Sequence, residues 1–132
     1  MRVLYLVLVA CLTACSPQRR TERILVHIAG ASAKNCGMVR LRGDYTSAIA
    51  CATGALSSKQ AFYVGFQIHG VDSEIWMGVA RRENEGVHRV LFDSDIFGSD
   101  IPVLRVPRSS TQLCPAPVFP HSGFERLSCD GT

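Results

Sequence analysis

Three runs of alternating apolar and polar residues occupy the middle of the chain and limit it to a small set of folds. They are FYVGFQIH (62–69), IWMGVARR (75–82) and VHRVLF (87–92). A side-chain period of two is the repeat of a β-strand. The connections, GVDSE and ENEG, hold only five and four residues, and connections this short join antiparallel neighbours. The pattern therefore predicts an antiparallel β-meander, with one face of its first strand formed by Phe62, Val64, Phe66 and Ile68.

A helix is predicted before the meander, in the stretch SAIACATGALSS (47–58). Ile49, Ala52 and Leu56 recur there at helical spacing, and Asp44 or Thr46 is the expected N-cap. Together these elements predict an α+β fold with one helix packed on the antiparallel meander. Shorter strands are predicted at ILVHIAG (24–30) and CGMVRLR (36–42), and short edge strands or loops at VLRV (103–106) and ERLSC (125–129).

The first fourteen residues predict a signal peptide. Arg2 is followed by twelve residues, 3–14, that are apolar except for Thr13. Twelve helical residues span about 18 Å, which is too short for a hydrocarbon core of about 30 Å. A short apolar run behind one positive charge is typical of an export signal rather than of a membrane-spanning helix.

Of the six cysteines, Cys11 lies in the leader and Cys15 directly follows it. The remaining four are an even number, which in an exported chain predicts disulfides. Four cysteines allow three connectivities. Because both candidate local pairs are fifteen positions apart, we expect Cys36 to pair with Cys51 and Cys114 with Cys129. Each closed loop would stabilise the fold by about 3 kcal/mol. The alternative is a zinc site, but the sequence has no Cys-x-x-Cys pair.

The end of the leader, Leu12-Thr13-Ala14-Cys15, resembles the lipobox of bacterial lipoproteins. In that family the cysteine thiol receives a diacylglyceryl group, a dedicated peptidase cuts before it, and the new N-terminus is acylated. A second partial match at Leu8-Val9-Ala10-Cys11 leaves a shorter apolar region, so Cys15 is the preferred site. The alternative is an ordinary secretory leader in which Cys15 is incidental.

The resemblance implies a domain plan and a location. Residues 1–14 would be the lipoprotein signal peptide, residues 15–23 the lipidated N-terminus with a polar tether, and residues 24–132 a single α+β domain. Ser16 follows the cysteine where Asp would retain a lipoprotein at the inner membrane. The expectation is therefore an outer-membrane lipid anchor with the domain facing the periplasm.

Several function classes lack support in the sequence. The net charge is only +3, and no basic run extends beyond Arg19-Arg20, so nucleic-acid binding is not expected. No nucleophile elbow, Ser-x-x-Lys motif or phosphate loop is present. We therefore predict no catalytic activity, and no cofactor apart from the covalent lipid on Cys15. No metal-ligand spacing relates the four histidines, which are His27, His69, His88 and His121.

Acidic residues mark the turns of the predicted meander. Because successive strands reverse direction, the two turns after 69 and after 92 share one edge of the sheet. Carboxylates at this edge would repel one another unless solvent, a cation or a basic partner faces them. They either form side-chain-to-backbone turns or bind a cation or a basic protein surface. The group comprises Asp72, Glu74, Asp93, Asp95 and Asp100.

The segment DSDIFGSD (93–100) superficially matches the start of a calcium-binding EF-hand loop. Asp93, Asp95 and Gly98 occupy positions one, three and six, but Phe97 and Leu104 occupy two of the ligand positions. The ligand set is thus incomplete, and no metal site is predicted.

Residues 35–129 are similar to small uncharacterised envelope lipoproteins of Gram-negative bacteria, which implies an α+β domain and no particular activity. We expect a non-catalytic periplasmic domain that binds another protein or an envelope component, in the size class of inhibitors and immunity proteins. The alternative is an ion- or small-ligand-binding module that uses the acidic loops. A hydrolase is the third possibility. A concave pocket with converging polar groups would favour the ligand-binding module or the hydrolase, and a flat exposed apolar patch on the sheet would favour the protein binder.

Overall fold

The computed structural model describes residues 16–96, 98 and 105–131. Two helices and a five-stranded sheet confirm the predicted α+β class. The sheet order is β1-β2-β3-β4-β5. In chain order the elements are α1 (Pro17–Ala29), β1 (Lys34–Val39), α2 (Tyr45–Ser57), β2 (Phe62–Ile68), β3 (Ile75–Arg81), β4 (Val87–Asp93) and β5 (Arg108–Leu113).

The predicted meander is present as β2, β3 and β4, and β5 extends it. All three neighbouring pairs are antiparallel, with Ile75 opposite both Ile68 and Asp93. Of the two options predicted for 103–106, an edge strand or a loop, Arg105 and Val106 have the loop, and residues 103 and 104 lie outside the described residues. The last strand begins instead at Arg108, after Pro107.

The first strand departs from the antiparallel prediction because β1 runs parallel to β2. Parallel neighbours need a long crossover, and α2 supplies it. The register shifts between Asn35 and Met38. Gly37, with φ +107°, allows this bulge because a glycine adopts positive φ without a steric penalty, and Asn35 Oδ1 accepts a hydrogen bond from Gly37 N at 2.8 Å.

Of the two predicted caps, Asp44 and Thr46, helix α2 uses Asp44. Asp44 accepts hydrogen bonds from the backbone N–H of Ser47 at 3.1 Å and from the Ser47 hydroxyl. These bonds hold the pKa of Asp44 below its ordinary value, the side-chain bond first. The helix buries small residues, among them Ala48, Ala52 and Ala55, so it can lie close to the sheet. It packs on β1 and β2.

Both predicted disulfides are confirmed. Cys36 in β1 is bonded to Cys51 in α2, with Cα atoms 5.5 Å apart. Cys114, directly after β5, is bonded to Cys129, with Cα atoms 4.7 Å apart. The first bond fastens α2 to the strand before it. The second closes the irregular C-terminal segment, 114–131, whose Phe119 and Leu127 belong to the same buried cluster as α2.

Helix α1 is the main correction to the sequence-based description. A polar tether was predicted for 15–23 and a strand for 24–30, whereas Pro17–Ala29 forms a single helix. Ser16 caps it by accepting a hydrogen bond from Arg19 N at 3.3 Å, and Pro17 stands at the first helical position, where its missing N–H costs nothing. Within the described ranges, neither helix is long and apolar enough to cross a membrane.

The face of α1 that meets the sheet consists of Thr21, Leu25 and Ala29, which recur every four residues and are buried. Leu25 lies on two glycines that face each other across β2 and β3. A Cβ atom at Gly78 would lie 2.8 Å from Leu25 Cδ1, and one at Gly65 would lie 3.4 Å from it. The absence of two side chains therefore lets the helix backbone approach the sheet.

Because α1 covers the second face of the sheet, residues there are buried as well. Tyr63, Ala80 and Val90 form a cluster with Leu25 and Ala29. Burial and the nearby Glu22 carboxylate raise the pKa of the Tyr63 phenol. The domain thus has three layers, with α2 and the C-terminal segment on one face and α1 on the other.

The direction of α1 is set by contacts at its two ends. Arg40, just after β1, donates two hydrogen bonds to Gln18 Oε1 at 3.1 and 3.0 Å. Arg82, just after β3, donates to the carbonyl oxygen of His27 at 3.2 Å. Helix α1 therefore begins at the end of the sheet where β2 and β4 finish, which we call the acidic end because Asp72, Glu74, Asp93 and Asp95 flank those strand ends.

The packing of α1 can be tested by shortening Leu25. We expect Leu25→Ala to lower the free energy of unfolding by about 2–5 kcal/mol, since a fully buried leucine loses its contacts and leaves a cavity. Urea unfolding measures the change. The exposed neighbour Arg23 is the control, and Arg23→Ala should stay within about 0.5 kcal/mol of the wild type. Equal stability of the two variants would contradict the docked helix.

Candidate functional site

The structure places four of the five predicted acidic residues at the acidic end; Asp100 lies outside the described residues. Asp72 is next to Gly98, where a Cβ atom would lie 3.3 Å from Asp72 Oδ2. The turns are joined by two hydrogen bonds between Glu74 and Ser94: Ser94 N donates to Glu74 O at 3.0 Å, and Glu74 N donates to Ser94 Oγ at 2.8 Å. The strands thus bring these turns together, as their order predicted.

Three of the carboxylates form part of the turn structure. Glu74 Oε1 accepts a hydrogen bond from the indole N–H of Trp76 at 2.7 Å. Asp93 Oδ1 accepts from Asp95 N at 3.0 Å, and Asp95 Oδ1 accepts from Val106 N at 3.3 Å. Asp95 is only 3% exposed. These contacts support the interpretation of the acidic residues as turn-forming groups.

No metal site is formed in the described part of the chain. Among residues 16–96, 98 and 105–131, no three His, Cys, Asp or Glu side chains are grouped so as to hold a metal ion. Phe97 and Leu104, which occupy two ligand positions of the EF-hand-like segment, lie outside the described residues.

A cleft lies on the α2 side of the sheet, next to the acidic end. Its volume is about 190 Å³. Apolar side chains of three strands form the floor, since Met77 of β3 stands opposite Leu91 of β4, and Ile75 opposite Ile68 of β2. The lining residues are Ile68, His69, Ile75, Met77, Leu91, Asp93 and Arg126.

The cleft exists because no single element covers this face. Helix α2 packs on β1 and β2, and the C-terminal segment covers a second part through Phe119, whose ring lies 6.2 Å from that of Phe66. Arg89 of β4 donates a hydrogen bond to the carbonyl oxygen of Leu127 at 3.2 Å, which holds this segment to the sheet. The floor residues lie between the two covers, and Leu91 remains 36% exposed.

Opposite charges stand at the rim. Asp93 contributes a carboxylate, and Arg126 contributes a guanidinium that makes no hydrogen bond or ion pair with any described residue. The His69 ring stacks on Phe124 with centroids 5.2 Å apart. An apolar floor below a cation and an anion suits a group with an apolar body and a polar tip.

The size of the cleft limits what it can hold. Sites for drug-sized ligands measure about 300–1,000 Å³, whereas a cavity of about 150 Å³ accommodates one benzene ring. At about 190 Å³, this cleft fits one side chain or a fragment of similar size. The site is concave with converging polar groups, as the ligand-binding alternative requires, but it is small.

A larger depression lies at the opposite end of the sheet and has a volume of about 470 Å³. It is open and mainly polar, and it has no apolar floor to hold a ligand. Its lining residues are Ser32, Lys34, Gln60, Ala61 and Glu83. We therefore place the candidate site in the cleft.

Sequence reasoning identified only one residue of the cleft, Asp93. The alternation of β2 predicted that Ile68 lies on one face with the other apolar residues of that strand, and it is buried there, but no sequence pattern indicated that a cleft would form beside it. His69 and Arg126 were not candidates. They are 57 positions apart (126 − 69), and the C-terminal segment brings them together.

Comparison with known proteins adds no identification, since no protein-family model, no curated protein and no solved structure matches the chain.

The role of Glu74 as an acceptor for the buried indole is testable. Glu74→Ala should destabilise the fold by about 1–3 kcal/mol, because the N–H of fully buried Trp76 loses its partner. Glu74→Gln keeps an acceptor oxygen, so its loss of stability should be smaller. Unfolding in urea can be followed by the fluorescence of Trp76, the single tryptophan. Equal losses in both variants would show that the negative charge, and not the hydrogen bond, is what matters.

Proposed function

We propose that this chain is a lipid-anchored envelope protein whose domain binds another protein by receiving one of its side chains in the cleft. The observation that carries the proposal is the cleft itself: a floor of Ile75, Met77 and Leu91 under a rim formed by Asp93 and Arg126. Few residues usually dominate a protein interface, and they tend to be anchors that fill such pockets.

The chemistry of the cleft favours an amphipathic anchor on the partner. The stem of a lysine or arginine, or the ring of a tyrosine, would lie against Met77 and Leu91. The polar tip of such a residue would then reach the carboxylate of Asp93, or the guanidinium of Arg126 in the case of tyrosine. We assign the cleft to binding because four of its seven lining residues are apolar and its charged groups stand at the rim.

The lipid anchor is supported by the leader and by the lipobox-like Leu12-Thr13-Ala14-Cys15. Ser16 after the cysteine supports outer-membrane sorting, with the domain on the periplasmic side. A diacylglyceryl group together with an N-acyl chain exceeds the two signals that stable membrane anchoring requires. The partner would accordingly be a protein or other component of the envelope.

A second candidate function is the binding of a small ligand, which the concavity of the cleft and its converging polar groups favour. A ligand of this kind would be little larger than one ring. The two candidates differ in what occupies the surface beside the cleft, because a protein partner extends beyond the anchor whereas a small ligand does not.

Lipidation at Cys15 predicts the mass of the mature protein. Produced with its own leader in a Gram-negative host, the protein should begin at residue 15 and carry a diacylglyceryl group and an amide-linked acyl chain. Intact mass spectrometry of the detergent extract measures this. Cys15→Ser should abolish the modification, whereas Cys11→Ser should leave the mature mass unchanged. An unmodified N-terminus at another residue would contradict the anchor.

If a protein binds at the cleft, a cross-link in the native envelope should form from the cleft face of the sheet and not from the other face. Ser110 of β5 stands opposite Leu91, and its neighbour Thr111 points to the other face of the sheet. A photoreactive residue at Ser110 should yield a discrete adduct with another protein, and the same residue at Thr111 should not.

Filling the cleft provides the control for this cross-link. Leu91→Arg places a long charged side chain over the floor, and because Leu91 is already partly exposed, we expect the fold to persist. The adduct from Ser110 should then disappear. Equal adducts from Ser110 and Thr111, or an adduct that survives Leu91→Arg, would contradict binding at this site. No protein adduct from either position would favour the small ligand.

A further inference from the structure

We propose that the domain rests on the lipid bilayer with its acidic end, so that Val71 and Phe124 enter the headgroup layer. The proposal rests on the lipid anchor at Cys15 proposed above. It assigns one defined orientation to a domain that the sequence alone would place on a polar tether, and it names a lipid surface as the partner of the exposed apolar residues at this end.

The chain leaves almost no slack between the anchor and the domain. Ser16 follows Cys15 directly and already caps α1, and Pro17 O accepts a hydrogen bond from the Thr21 hydroxyl at 2.9 Å within the first turn. Consecutive Cα atoms are about 3.8 Å apart, whereas the headgroup region on each side of a bilayer is about 5–8 Å thick. A lipid on Cys15 therefore holds the first turn of α1 at the membrane surface.

The first turn of α1 lies at the acidic end. Gln18 is hydrogen-bonded to Arg40, which follows β1 where that strand finishes beside the end of β2. The next residue, Leu41, donates its N–H to Gln67 Oε1 at 3.4 Å. Leu41 also touches the C-terminal segment, since a Cβ atom at Gly123 would lie 2.4 Å from Leu41 Cδ2. The anchor point and both neighbouring loops are thus parts of one surface.

The two most exposed large apolar side chains among the described residues belong to this surface. Val71, between β2 and β3, is 94% exposed, and Phe124 is 83% exposed. Their loops are joined because His69 N donates a hydrogen bond to Gly123 O at 2.7 Å and the His69 ring stacks on Phe124. An exposed phenylalanine suits the membrane interface, because Phe is among the apolar residues that surface-bound elements bury at the boundary between headgroups and acyl chains.

Charged residues at the acidic end match a phospholipid headgroup. Arg19 and Arg20 stand in the first turn of α1, which contains no acidic residue, although the helix dipole disfavours cations there. Glu22 lies 3.9 Å from the guanidinium of Arg19 and compensates part of this charge; lipid phosphates beside Arg19 and Arg20 would compensate the rest. Asp72 lies next to Val71 in the same loop. Phosphatidylethanolamine carries both a phosphate and an ammonium group, and so offers a partner to the arginines and to the carboxylate.

The orientation has a consequence for the cleft. His69 and Arg126, which line it, lie close in the chain to Val71 and Phe124. The cleft would therefore stand next to the bilayer, within reach of the membrane-proximal part of an envelope protein.

Tryptophan reporters test the orientation. The full chain, produced with its leader in a Gram-negative host, is reconstituted into vesicles of phosphatidylethanolamine with a minority of phosphatidylglycerol. In Val71→Trp and Phe124→Trp, the emission of the added tryptophan should be blue-shifted. Most of that added emission should be quenched when the acyl chains are brominated. The matched control is Leu113→Trp, because Leu113 is 66% exposed at the opposite end of the sheet. Trp76 is fully buried and contributes the same background to all three.

The outcomes separate this proposal from the one on which it rests. Flotation with the vesicles together with quenching at 71 and 124, but not at 113, supports the orientation. Flotation without quenching at 71 and 124, or with equal quenching at all three positions, overturns the orientation and leaves the anchor standing. If the wild-type protein fails to float with the vesicles, both the anchor and the orientation are overturned.

Discussion

The contact of Leu25 with Gly65 and Gly78 is the interaction on which the arrangement of this domain depends. Two glycines face each other across β2 and β3, and they leave room for one leucine side chain of a helix. Because α1 docks there, the second face of the sheet is covered and Tyr63, Ala80 and Val90 are buried. The same contact determines where residue 16 lies, and therefore which end of the domain an anchor on Cys15 would hold.

Much of the fold was predictable where one local rule decides the outcome. The period-two runs of β2, β3 and β4 alternate strictly between the two faces, and their short turns leave only antiparallel pairing. Asp44 is a cap that few other residues can replace, and the structure uses it. The disulfides Cys36–Cys51 and Cys114–Cys129 follow from equal spacing in a chain predicted to be exported. In most of these cases, the residues that decide the local structure lie close together in the sequence.

The rest depended on partners distant in the sequence. Helix α1 is amphipathic over its length, and its buried positions are Thr21, Leu25 and Ala29. Its first turns are polar, however, and its apolar residues are gathered in the continuous run ILVHIA, which resembles a buried strand. Ser16 followed by Pro17 is a sequence signal for the start of a helix, and α1 begins there. All six residues of β5 are exposed and show no alternation. The cleft depends on how far α2 and the C-terminal segment extend over the sheet. Neither of these segments is close in sequence to Met77 or Leu91.

The disulfides and α1 also divide the domain mechanically. Both cross-links belong to the half of the molecule built from α2, β1 and the C-terminal segment, whereas α1 contains no cysteine and is held by packing and hydrogen bonds alone. In a chain anchored through Cys15, a force on the domain would act first on α1. It would be transmitted to the disulfide-linked part only through the contacts of Leu25 and its neighbours. Under load, α1 would therefore be the segment that peels away and lengthens the connection to the membrane, while the sheet remains folded.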